Sequence, residues 1–133
     1  MEPIASGQAD FVIGYRRFGD APAHVSLGNR AACGILRVLT GHHFRDLGPF
    51  RAIRFDALKS LALVDRDYGW NVEMQARAVG AGLRIVEVPV SHRPRAAGRS
   101  KISGSLVGTV RAGSKIILTS LREGWRARSR RER

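Results

Sequence analysis

Residues 93–101, Arg93-Pro94-Arg95-Ala96-Ala97-Gly98-Arg99-Ser100-Lys101, carry four positive charges and no negative one in a stretch punctuated by proline and glycine. The chemistry open to such a stretch is anion binding. Guanidinium forks pair bidentately with phosphate oxygens, lysine adds a compact point charge, and Ser100 adds a hydroxyl. A solvated basic loop that binds nothing in particular has the same composition. The remaining residues must discriminate between the two.

Further cations fall at defined places. Residues 9–14 read as a short buried strand ending at Gly14, which puts Tyr15-Arg16-Arg17 at its carboxyl end. Open α/β sheets gather their ligand contacts at that end. Arg30 and Arg37 are seven residues apart on an expected helix and so share a face, a pattern that ordinary helix solvation also produces. In the loop His42-His43-Phe44-Arg45-Asp46-Leu47-Gly48-Pro49-Phe50-Arg51, Asp46 and Arg51 can form an ion pair across the Gly-Pro turn or orient a bound ligand. The adjacent histidines point to opposite sides of an extended chain, which argues against a shared metal. Glu73 and Arg77 stand at i, i+4, a spacing that supports a helix and is not by itself a site. A carboxylate beside Tyr68 and Trp70 could also act in a cleft, which makes Glu73, with Asp46, a weak catalytic candidate.

The elements that position these residues follow from periodicity and punctuation. A helix runs from Ala21-Pro22 to Gly41, capped by Asp20, with Val25, Ala32, Leu36 and Leu39 toward the core. Asp56 caps a short helix over 57–63, and a second helix leads from the 65–69 turn to Gly80 or Gly82. Trp70 and Met74, four apart, share its core face. Residues 84–90 form a β-branched strand in which Pro89 requires an edge or terminal position. Residues 102–121 have helical spacing. Leu106, Val110, Ile117 and Leu121 lie on one side and Arg111, Lys115 and Arg122 on another, an amphipathic pattern suited to core packing or a lipid interface. The last twelve residues hold six arginines and two glutamates around Trp125 and read as a disordered basic tail suited to anionic headgroups.

The chain has 133 residues, a hydrophobic fraction of 44% and a charged fraction of 26%, which is globular composition sufficient for one domain. Only three of its 23 basic side chains are lysine, and the formal net charge is +12. This excess points to polyanionic partners or an anionic membrane surface. The single cysteine, Cys33, precludes an intramolecular disulfide and reads as buried packing. No signal pattern opens the sequence, and no apolar run reaches the length of a spanning helix. The expected location is the cytoplasm, with membrane contact only peripheral. The strand–helix–loop–helix–helix–strand–loop–helix order favours an α/β domain.

Six segments occur in one order: AD-VIG-R at 9–16, GNR at 28–30, DLGPFRAIR at 46–54, YGWNVEMQ at 68–75, RIVEVPV at 84–90 and R-AAG-RSKISG at 95–104. Together they resemble the C-terminal half of family 2 glycosyltransferases of the dolichyl-phosphate mannose synthase type, which move a sugar from a nucleotide-sugar to a polyprenyl phosphate. The resemblance implies the C-terminal portion of a GT-A fold, incomplete, over residues 1–121, followed by the basic tail at 122–133. It implies acceptor-phosphate contacts from Arg16, Arg30 and Arg51, and a loop closing over the phosphates with Arg95, Gly98, Ser100 and Lys101. Asp46 and Glu73 match positions on the acceptor side. Two positions depart from the pattern: Tyr15 stands where serine is usual, and Gly34 where a hydroxyl residue is frequent.

The complete enzyme of this type uses a divalent metal, Mg or Mn, held by an Asp-x-Asp motif. Asp65-Arg66-Asp67 has the spacing but lies far downstream and reads as a helix-entry loop, so no metal ligand is assigned in this chain. The nucleotide half would precede Met1. The chain is therefore expected to be a fragment, inactive alone unless a partner chain supplies the N-terminal half, and prone to association through uncovered surface. The expected partners are polyprenyl phosphate, a nucleotide-sugar donor in the complete enzyme, and the anionic inner face of the membrane. The alternatives are a basic nucleic-acid-binding module and a non-catalytic membrane-associated module. Against the former, no recognised motif is present and the aromatics do not interleave with the basic residues.

Overall fold

The structure, a computed structural model, describes residues 2–16, 23–91 and 106–131. The elements in order are α1 (Glu2–Ala5), β1 (Phe11–Arg16), α2 (Ala23–Thr40), β2 (Arg51–Ile53), α3 (Phe55–Leu61), α4 (Trp70–Gly80), β3 (Ile85–Val90) and α5 (Leu106–Arg131). The result is a mixed α/β arrangement around a three-stranded sheet of order β2-β1-β3. β1 runs parallel to β3, in register from Phe11 opposite Ile85 to Arg16 opposite Val90. It runs antiparallel to β2, with Val12 opposite Ala52. β3, with exposed Pro89, lies at the edge that a strand proline requires.

The sheet is laced at its other end by Asp10. Its carboxylate accepts hydrogen bonds from the backbone and guanidinium of Arg84 and from Arg54, joining the starts of β1 and β3 to the end of β2. Phe11 and Ile13 in β1 form one core with Ala32 and Leu36 of α2, Phe44 and Leu47 of the following loop, and Val72, Met74, Ala76 and Val79 of α4. Cys33 is buried there, as its apolar neighbours suggest, and burial pushes its thiol up to about 12. Met74 joins this core, whereas Trp70, on the same face of α4, remains partly exposed.

Several elements differ from the expected ones. The first strand continues two residues past Gly14, because parallel pairing with β3 lasts through Arg16. β2 starts at the last residue of the segment read as loop and was not expected, since three residues are too few to show a period. α3 starts at Phe55, so Asp56 sits in its first turn and does not cap it; the N-cap is Arg54, with no side-chain bond to the helix. The expected disordered tail is, as far as Arg131, the continuation of α5. Buried Glu123, Gly124 and Ala127 seat those last turns on the rest of the chain, and tertiary contact outweighs a composition that alone reads as disorder. The face of α5 turned inward matches the expected apolar side only in part. Ile117 packs against the core, and Ala112, Thr119, Ser120, Glu123 and Ala127 are buried, while Val110 and Leu121 of the expected side are exposed.

Candidate functional site

At the carboxyl end of β1 the chain places Tyr15 and Arg16 against the loop that joins α2 to β2. That loop is fixed by three elements. Asn29 Oδ1 of α2 accepts from the Leu47 amide at 2.9 Å. Gln75 Nε2 of α4 donates to the Asp46 carbonyl at 3.0 Å. The Arg45 amide donates to Glu87 Oε1 of β3 at 2.9 Å. A Cβ added to Gly48 would lie 2.9 Å from Asp46 Oδ2, so the tight path of this loop requires glycine.

Within this frame Asp46 and Arg16 form a fork. Arg16 Nε donates to Asp46 Oδ2 and the second guanidinium nitrogen to Oδ1, both at 2.8 Å, and the Arg16 amide adds a third bond at 3.1 Å. Asp46 is buried. Burial pushes its carboxyl up, but the side-chain and backbone hydrogen bonds from Arg16 outweigh this and hold it below its usual 3.8. The arrangement fixes the rotamer of Arg16 at the sheet end where ligands collect. The first residues after β3 leave from the same place, since Val90 is the register partner of Arg16.

Asp46 therefore pairs with Arg16 and not with Arg51. The Arg51 guanidinium donates to the carbonyls of Gly48, Leu47 and Asn71, and its Nε is buried without a protein partner. Burial lowers its pKa to about 10. Arg51 thus staples the loop to the start of α4. Arg30 lies on the exposed side of α2, one residue beyond Asn29, and forms no ion pair among the described residues. Glu73 is fully buried: it accepts from the amides of Val64 and Asp65 and pairs with Arg77 at 2.7 Å. Arg77 reaches on to Glu123 of α5 at 3.0 Å, so Glu73 anchors a structural network. Arg95, Gly98, Ser100 and Lys101 lie outside the described residues.

Residues that sequence reasoning did not single out also shape the site: Asn29, Arg45, Gln75 and Glu87. Gln75 had a signal, being a polar side chain amid the apolar positions of α4. The other three had none, because each acts across a distance of 18 to 42 residues. No three His, Cys, Asp or Glu side chains converge among the described residues, and Asp65 Oδ2 is paired with Lys115 at 3.2 Å.

No family model and no solved structure matches the chain. Curated relatives do. The chain is 34% identical over 130 residues to an undecaprenyl-phosphate mannosyltransferase of Micrococcus luteus, spanning 90% of this chain and 54% of that protein. It is 45% identical over 76 residues to an uncharacterised glycosyltransferase of Mycobacterium tuberculosis, spanning 56% of this chain and 35% of the relative. It is 29% identical over 126 residues to the glycosyltransferase AglD of Haloferax volcanii, 90% of this chain and 20% of that protein. The chain thus spans about half the length, or less, of the curated relatives it matches. By these relationships the chain is similar to part of the length of glycosyltransferases of the polyprenyl-phosphate type.

Proposed function

We propose that this chain forms the acceptor side of a glycosyltransferase that moves a sugar from a nucleotide-sugar onto a polyprenyl phosphate, within a partial GT-A fold. The observation that carries the reading is the Arg16–Asp46 fork at the carboxyl end of β1, beside the carboxyl end of β3. Its similarity over 90% of the chain to an undecaprenyl-phosphate mannosyltransferase supplies the acceptor class.

The chemistry suits these residues. A phosphate monoester is largely ionised near neutral pH, since its second pKa is about 6, so its oxygen is a competent nucleophile without a strong general base. The work left to the protein is positioning and charge stabilisation. Arg16, locked by Asp46, presents a fixed guanidinium to the acceptor phosphate, with Arg30 a second contact on α2. Arg95, Ser100 and Lys101 would bring further cations and a hydroxyl over the two phosphates as donor and acceptor meet. Asp46 and Glu73 act as structural carboxylates in this reading. A divalent metal, where the complete enzyme holds one, would ease departure of the diphosphate; this reading places its ligands and the nucleotide site outside these 133 residues. The chain alone then binds acceptor without turnover.

Membrane contact is assigned to α5. No helix among the described residues is long and apolar enough to cross a membrane. α5, however, exposes Val110, Leu118, Leu121 and Trp125 along one stripe, with Arg111, Lys115, Arg122 and Arg126 beside it. Apolar side chains bordered by arginine suit an anionic lipid interface, here the inner face of the cytoplasmic membrane.

The test is a titration of the full chain, in mild detergent, with a short-chain prenyl monophosphate and with the corresponding free alcohol. Binding of the phosphate alone, weakened in Arg16→Gln and in Arg16→Lys, is the expected result. Equal binding of the alcohol, or no binding at all, overturns the reading. Salt-sensitive binding of nucleic acid in place of the prenyl phosphate favours a nucleic-acid module instead. Turnover with a nucleotide-sugar overturns the placement of the donor site outside the chain.

A further inference from the structure

We infer that Arg45, mounted on Tyr15, is a further phosphate-binding cation of this acceptor site; the inference rests on the acceptor reading above. Tyr15 and Arg16 are consecutive in β1, and Arg45 and Asp46 are consecutive in the facing loop. The two pairs cross twice. Asp46 takes the Arg16 fork, and Arg45 donates from its guanidinium to the Tyr15 hydroxyl at 2.9 Å. The same guanidinium carbon lies 4.8 Å from the centroid of the Tyr15 ring. Stacking and a hydrogen bond from one tyrosine restrict a long, otherwise mobile side chain, which lowers the entropy lost when it meets a ligand.

Charge separates the two arginines. Asp46 neutralises Arg16 at close range, so that fork contributes geometry more than net attraction. No carboxylate among the described residues lies within salt-bridge distance of the Arg45 guanidinium. Glu87, the nearest acidic group on β3 to be placed, accepts from the Arg45 amide and so fixes its backbone. Arg45 is exposed, whereas Asp46 beside it is buried. A planar cation that is held in orientation, solvent-facing and without a counter-ion among the described residues is suited to donate to two oxygens of a phosphate monoester.

The test uses the full chain in mild detergent, titrated with inorganic phosphate and, separately, with a short-chain prenyl monophosphate. Arg45→Gln is expected to weaken both by about tenfold, the loss of one charge-assisted pair, with Arg45→Lys recovering part of it. Similar losses on both probes locate the contact at the phosphate head; a loss on the prenyl probe alone ties it to the lipid-borne phosphate. Tyr15→Phe, which keeps the ring and removes the hydroxyl, should cost less than Tyr15→Ser. In an Arg45→Gln background, Tyr15→Ser should cost nothing further, a non-additivity that a merely structural tyrosine would not show. Circular dichroism and thermal melts verify that each variant folds. Unchanged binding in Arg45→Gln together with loss in Arg16→Gln overturns this inference and leaves the acceptor reading standing. Failure of the unaltered chain to bind either probe overturns both.

Discussion

Gly80 and Ala127 bring α4 and α5 into backbone contact: a Cβ built on Gly80 would lie 3.1 Å from both the Cα and the Cβ of Ala127. Gly124, one turn earlier, admits Leu39 of α2, whose Cδ1 would be 2.8 Å from a Cβ at that glycine. Two small residues thus seat α5 on two helices at once. Gly80→Val should destabilise the fold by about 1–3 kcal/mol, because the neighbour is backbone and cannot swing aside. Chemical denaturation measures it. Gly124→Ala should cost less, since a rotamer change of Leu39 relieves the closest contact and leaves only its Cβ, at 3.0 Å, to shift.

The carboxylate of Glu123 is buried and paired with Arg77, Arg122 and Arg126. Glu123→Gln should lower stability by about 2 kcal/mol, below the cost of fully orphaning a buried charge because Arg122 and Arg126 can turn to water. Detachment of the end of α5 would appear as faster hydrogen exchange over 119–131. Exchange equal to that of the unaltered chain would contradict this assignment.

Acid should weaken the fold through a small set of carboxylates. Burial pushes Asp46, Asp65 and Glu123 up, but bonds from Arg16, from the Asp67 amide and Lys115, and from Arg77 and Arg122 outweigh it and hold each one low. A depressed native pKa means that the unfolded state binds protons first. The stabilisation is therefore fully present above the ordinary values of 3.8 and 4.5 and is lost as pH falls below them. Asp46→Asn should flatten the acid limb of a stability–pH profile. An unchanged slope would remove Asp46 from this set.

Membrane attachment through α5 predicts a divided response. Leu118→Ser with Trp125→Ser should weaken binding to vesicles rich in anionic lipid by about tenfold or more, from lost apolar burial. Arg111→Gln with Lys115→Gln should weaken it less at high salt than at low, because the charge contribution is screened. Flotation with vesicles, repeated at two ionic strengths, distinguishes the two. Equal flotation of all variants would place the contact elsewhere.

β1, β3, the helices α2 and α4 and the edge position of Pro89 were legible in the chain because each is a local pattern: β-branched runs, helical spacing, a missing amide. The arginines and the acidic partner at the candidate site were legible as residue types. Their pairings were not. Asp46 reads equally well with Arg51, five residues away, as with Arg16, thirty residues back. Only the antiparallel seating of β2 beside β1, in a strand of three residues, decides between them. The inward face of α5 was misread in part for a related reason. Hydrophobicity alone points Val110 and Leu121 inward, but close helix contact selected glycine, alanine and a charged network.

Pro89 has a consequence for how the sheet can grow. The outer side of β3 carries a residue with no amide to give, so a further strand laid there would face a gap in its row of donors. β2, at the other margin, presents no such interruption in Arg51-Ala52-Ile53. The sheet is thus polar in its capacity for extension, closed to annealing on one flank and receptive on the other.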